Sequence, residues 1–179
     1  NKKFIYGSLK PGARAKDFEI AIQWLVDAGL VYKVPLCKEV KLPLKVYEDP
    51  SAFKLFTLDL GLLGAMVGTE AKQVLIKNDI FSEYKGGMTE QYVLEEMKSN
   101  GEENIFYHKP DDGTRLEIDF LIQRDGKLLP IEVKAEGNVR ANSLSSLLKQ
   151  TPELSAFRYS MKPYIEQEQL TCYPLYAIQ

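Results

Sequence analysis

Apolar residues recur at helical spacing between Ala15 and Gly29 (Phe18, Ile22, Trp24 and Leu25), and the pattern predicts an amphipathic helix that Gly29 stops. The pattern then changes to alternation. Leu30–Leu36 predicts a strand, and a second β-rich stretch, Leu42–Tyr47 then Phe53–Leu58, follows across a turn at Glu48-Asp49-Pro50-Ser51. Asp59–Val67 predicts a short buried helix, and Glu70–Asp79 a helical connector. Gly86-Gly87 opens a helix over Met88–Lys98, with Met88, Tyr92, Val93 and Met97 on its apolar side and Gly101 at its end. Strands are expected at Asn104–His108, Leu116–Gln123, Leu128–Ala135, Ala156–Tyr159 and Leu170–Ile178, with a polar helix over Leu144–Gln150. The pattern divides the chain into a segment 1–67, a helical connector 68–85 and an α/β domain 86–179. A helix followed by a β-ribbon is the second half of a winged helix; a small helix–hairpin adaptor with no DNA role accounts for the first segment equally simply.

The strongest local signal is Asp125-Gly126 between two alternating apolar runs, which suits a two-residue primed hairpin turn. That turn fixes the register. Arg124 faces Lys127, Phe120 faces Ile131 and Ile118 faces Val133 on one side, while Asp119 faces Glu132 and Glu117 faces Lys134 on the other. Directly opposed residues lie about 5 Å apart at Cβ, and like charges there are destabilising. A divalent cation between Asp119 and Glu132 removes that conflict, because hard cations take oxygen ligands from two directions. Lys134 projects from the same face as Glu132, where an ammonium stabilises charge developing on a phosphate or orients a water. Glu117 is a reserve acid or a tether for Lys134. Alternation of Glu and Lys along a solvated strand is the plainer explanation of Glu132-Val133-Lys134, and the opposed Asp119 is what favours a site. Pro130 admits a bulge that would shift the register.

Composition narrows the chemistry. With 179 residues, 45% hydrophobic and 27% charged, the chain has the make-up of a globular protein. No apolar run approaches the roughly 18 residues of a membrane helix, and the basic start has no secretory apolar stretch, so a cytoplasmic protein with no membrane partner is expected. Cys37 and Cys172 are expected as two reduced thiols, and a single histidine, His108, excludes the usual His/Cys zinc clusters. Any metal is then held by carboxylates, which favours Mg²⁺ or Mn²⁺. Net charge is −2, but residues 1–50 hold nine Lys and Arg against six Asp and Glu. Arg14, Lys16 and Lys33 are the candidate phosphate contacts in that mildly basic stretch. Because Asn1 takes the first position, we expect a piece of a longer protein.

Two runs, E-I-D-F-L-I (Glu117–Ile122) and I-E-V-K (Ile131–Lys134), resemble the acidic and lysine core of the PD-(D/E)xK nuclease-like superfamily. The position before Asp119 is Ile118 where that core often has proline. In that superfamily an acid on a preceding helix often joins the cluster, and Glu90 takes the matching place in G-G-M-T-E-Q-Y-V-L-E-E-M. Over nearly its whole length the chain is similar to the uncharacterised C-terminal region of prokaryotic AAA-type ATPases, on W-L-V-D-A-G-L-V (Trp24–Val31), K-L-F-T-L-D-L-G-L-L (Lys54–Leu63), E-I-D-F, I-E-V-K and P-L-Y-A-I (Pro174–Ile178). The resemblance implies a restriction-endonuclease-like mixed β-sheet flanked by helices, an N-terminal winged-helix-like α+β segment, and an ATPase module as partner in the same full-length chain. Gly7-Ser8-Leu9-Lys10-Pro11-Gly12 lacks the Lys-Ser/Thr of a phosphate loop, so no nucleotide is expected on this part.

The first expectation is therefore a metal-dependent phosphodiesterase acting on DNA or RNA. Asp119 and Glu132 would hold the ion, Glu90 would complete the shell through water together with the Val133 carbonyl, and Lys134 would serve the reacting phosphate. The rival is a catalytically inactive nuclease fold serving the ATPase as a regulatory or binding domain, since fold alone does not confer function. A DNA-binding adaptor acting through the first segment is the third.

Overall fold

Local chemistry sets most element ends. The computed structural model describes residues 3–6, 11–12, 14–68, 82–114, 116–135 and 142–179. Helix α1 (Ala15–Asp27) starts where the Asp17 carboxylate accepts the Arg14 N–H at 3.0 Å. It ends before Gly29, whose φ of 69° suits a residue without Cβ. Strands β1 (Val31–Cys37) and β2 (Glu48–Thr57) form an antiparallel ribbon. Asp59 caps α2 (Leu60–Val67) by accepting the Leu62 N–H at 2.7 Å, and Gly68 ends it in the left-handed region. Helix α3 (Ser82–Ser99) finishes in a turn in which the Glu102 N–H reaches the Met97 carbonyl. The remaining elements are β3 (Phe106–His108), β4 (Ile118–Arg124), β5 (Lys127–Lys134), α4 (Asn142–Gln150), β6 (Ala156–Ser160), β7 (Ile165–Glu166) and β8 (Leu170–Pro174).

Four expectations change. Leu42–Tyr47 is no strand: it holds a cis Leu42–Pro43 bond and a 3₁₀ turn over Leu44–Tyr47. Glu48–Ser51 is no turn but the start of β2, with a register shift opposite Pro35 and Leu36. Helix α2 is present but has no buried residue, because it packs on one side only. Gly86 and Gly87 lie within α3 and do not open it. The expected connector helix at Glu70–Asp79 lies outside the described residues.

One mixed eight-stranded sheet, in the order β2-β1-β3-β4-β5-β6-β8-β7, runs through both halves of the chain. The ribbon of the first segment joins it through parallel pairing of β1 with β3. Helix α3 covers one face, where Val93, Leu94 and Met97 meet Phe120, Ile122, Ile131 and Val133. On the other face Leu144, Leu147 and Leu148 of α4 pack with Ile118, Leu154 and Ala156. The protein is thus a mixed α/β fold with four α-helices among the described residues.

The β4–β5 hairpin has the expected register from Arg124 opposite Lys127 to Phe120 opposite Ile131, and the ladder ends there, before the expected Asp119–Glu132, Ile118–Val133 and Glu117–Lys134 pairs. Its turn places Asp125 at φ 50° and Gly126 at φ 71°, as a type I′ turn requires. A Cβ on Gly126 would touch nothing within 4 Å, so the penalty of Gly126→Ala is the left-handed backbone alone. We expect a loss of about 1 kcal/mol in urea unfolding, with the sheet unchanged by circular dichroism.

Candidate functional site

The hairpin positions the site by breaking its own regularity. Ile118 packs under α4 while Phe120 packs under α3, although residues two apart on a strand share a face. On the other edge of β4, Phe106 pairs with Leu121 and His108 with Ile118, so two steps on β3 span three on β4. The extra residue falls beside Asp119, as in a β-bulge, and re-aims its side chain. One carboxylate oxygen, Oδ2, accepts the Val133 N–H at 2.8 Å, so a side chain takes a backbone donor of β5.

Around Asp119 the structure brings together Glu90 from α3, Glu117 just before β4, and Lys54 from β2. The Lys54 side chain is 1% exposed; its Nζ lies 2.7 Å from Glu117 Oε1 and 3.9 Å from Glu90 Oε2, and 5.1 Å from the centre of the Tyr107 ring. Burial alone would lower the affinity of that amine for its proton, but Glu90, Glu117 and Asp119 together hold its pKa above the ordinary value. Burial raises the Asp119 carboxyl to about 7, with Glu90 adding to the rise; the Val133 N–H, Lys54 and Lys134 oppose it. Tyr107 beneath them is pushed up to about 12 by burial and then by Glu117 and Asp49.

Glu132 is buried and held from two sides. Oε1 lies 3.1 Å from Lys134 Nζ, and Oε2 accepts from Arg158 Nε at 2.8 Å. Arg158 is the residue of β6 paired with Glu132 in the parallel ladder. Lys134 links the two acids of the hairpin, since it contacts Glu132 while its charge acts on Asp119. Removing one partner of a buried pair leaves an uncompensated charge. We expect Arg158→Ala to destabilise the protein by about 2 kcal/mol, softened by the remaining Lys134, and Arg158→Lys to recover part of it, both read by urea unfolding.

Of the expected site residues, Lys134 contacts Glu132, and the charges of Glu90 and Lys134 both act on Asp119. Glu117 does not tether Lys134; it pairs with Lys54, because Lys134 is drawn to Glu132. The three basic residues expected at phosphates stand apart from these carboxylates: Arg14 and Lys16 are exposed at the start of α1, and Lys33 Nζ lies over the Phe53 ring at 4.6 Å. Among the described residues, the cations that do reach the acids are Lys54, Lys134 and Arg158. Neither Lys54 nor Arg158 stood out by spacing. Lys54 left one trace, as the one charge in an otherwise apolar A-F-K-L-F run.

Carboxylate oxygens are donors that suit a hard cation. Among the described residues, however, no group of three or more His, Cys, Asp or Glu is arranged to hold an ion, and each oxygen of Glu132 faces a cation. No described helix is long and apolar enough to cross a membrane.

Residues 85–176, more than half of the chain, match the family described as "Domain of unknown function (DUF4143)". The chain belongs to this DUF4143 family. Residues 1–73 match a second description, "Domain of unknown function (DUF8612)". No curated protein and no solved structure matches the chain. The DUF4143 match contains Glu90, Asp119, Glu132, Lys134 and Arg158, whereas Lys54 lies in the DUF8612 match.

Proposed function

We propose that the chain is the C-terminal part of an AAA-type ATPase of the cytoplasm and carries a restriction-endonuclease-like domain with a metal-dependent phosphodiesterase site for DNA or RNA. The observation that carries this reading is the Asp119–Lys134–Glu132 group on one hairpin, with Glu90 delivered to Asp119 from the helix above. The ATPase link rests on the resemblance of the motifs between Trp24 and Ile178. Asp119 and Glu132 would hold Mg²⁺ or Mn²⁺, with Glu90 and the Val133 carbonyl in support. Such an ion supplies a Lewis acid for the phosphate and lowers the pKa of a bound water. The chain's own part is to hold the acids close and dry enough that Asp119 favours a cation over remaining bare. Lys134 presents an ammonium to the reacting phosphate. The winged-helix-like first segment offers Arg14 and Lys16 to the nucleic-acid backbone.

A second reading, a catalytically inactive domain that serves the ATPase by binding or regulation, is favoured by the saturation of Glu132. With Lys134 and Arg158 on its two oxygens, that carboxylate is neutralised by the protein itself. Isothermal titration of Mn²⁺, with Mg²⁺ as cross-check, separates the two. Saturable binding that Asp119→Ala abolishes, followed by cleavage of DNA or RNA, supports the phosphodiesterase; no binding to the native chain supports the inactive domain. A DNA-binding adaptor would instead show nucleic-acid affinity that falls steeply with salt and ignores the metal.

A further inference from the structure

Lysine is almost never fully buried without a partner, and Lys54 has three acids around it. It comes from the strand at the edge of the sheet, in the segment matched by one family, while all three acids belong to the segment matched by the other. The Tyr107 ring closes the side of the ammonium that faces β3. The ammonium therefore sits where added positive charge would otherwise be drawn, and it repels a divalent ion approaching Asp119.

We propose that Lys54 is the built-in counter-cation of the carboxylate site, supplied by the first segment, and that it holds down the affinity of that site for divalent cations. The cation-binding part of this inference rests on the reading of Asp119 as a metal ligand.

The test is calorimetric titration of Mn²⁺ into the full chain and into Lys54→Met, Lys54→Gln and Lys54→Arg, each checked for folding by circular dichroism. Lys54→Met and Lys54→Gln are expected to bind Mn²⁺ at least about tenfold more tightly than the native chain, because the like charge beside the ion is gone. Lys54→Arg, which keeps the charge, is expected to stay near the native affinity. Adding Glu117→Gln to Lys54→Met should reverse part of the gain. If the native chain binds no Mn²⁺ and the neutral variants do, the role of Lys54 stands and the native metal enzyme falls. If the native chain binds and the neutral variants bind no more tightly, the role of Lys54 falls and the metal site stands. Failure of both neutral variants to fold would also overturn the inference, by making Lys54 a requirement of the fold.

Discussion

Asp119→Asn is expected to make the protein about 2 kcal/mol more stable at pH 8. The Asp119 carboxyl is raised from 3.8 to about 7, first by burial and then by Glu90. In the unfolded chain the same group ionises near pH 4. Between those values the unfolded state releases a proton that the folded state still holds, so raising the pH through this window favours unfolding. Below pH 4 both states are protonated and the group contributes nothing; above pH 7 the penalty is complete. The full shift corresponds to about 4 kcal/mol. Partial exposure of Asp119 and the nearby Lys54 and Lys134 charges reduce the expected effect to about half of that. Asparagine keeps an oxygen for the Val133 N–H but has no charge to bury. Urea unfolding at pH 4, 6 and 8 reads the result: curves for native and variant that coincide at pH 4 and separate by pH 8. A variant less stable than the native chain at pH 8 would show that Lys54 and Lys134 more than offset the burial of the carboxylate.

The legible part of this site was local. Asp125-Gly126 fixed a turn, the turn fixed the register, and the register placed Asp119, Glu132 and Lys134 on one hairpin. The helices α1 and α3 followed from apolar periodicity, and α4 was expected as a polar helix, for the same reason: each is a pattern within one run of residues. Long-range contacts were not legible. Lys54 meets Glu117 across 63 positions of sequence because β1 pairs in parallel with β3, and no motif announces that pairing. Arg158 meets Glu132 through the parallel β5–β6 ladder, which is likewise invisible to alternation. Helix α2 misled in the other direction. Its Leu-Gly-Leu-Leu-Gly-Ala-Met-Val sequence reads as core, yet the helix lies at the periphery with Met66 and Val67 exposed. Hydrophobicity all round a helix indicates burial only when neighbours exist on every side.

Phe120→Ala is expected to cost about 4 kcal/mol and to weaken both halves of the chain together. The Phe120 side chain is fully buried, and its ring lies 5.7 Å from that of Phe56 at a tilt of 41°. Phe56 is on β2 and Phe120 on β4, so this aromatic pair joins the ribbon of the first segment to the hairpin of the second. Val34 from β1 and Val93 and Leu94 from α3 enter the same core cluster. A large-to-small change there loses the transfer energy of the ring and leaves a cavity whose walls come from both segments. The backbone sheet ties them as well, through β1 and β3. If the two segments were independent domains, truncating Phe120 would lower hydrogen-exchange protection in β4 and β5 and leave β1 and β2 unaffected. A shared core requires the amides of β1 and β5 to lose protection by similar amounts, with a single cooperative transition in urea. That result would also explain how a lysine of the first segment is held at 2.7 Å from a glutamate of the second. The position is fixed by a hydrophobic core that spans both, and the ion pair inherits its precision from that packing.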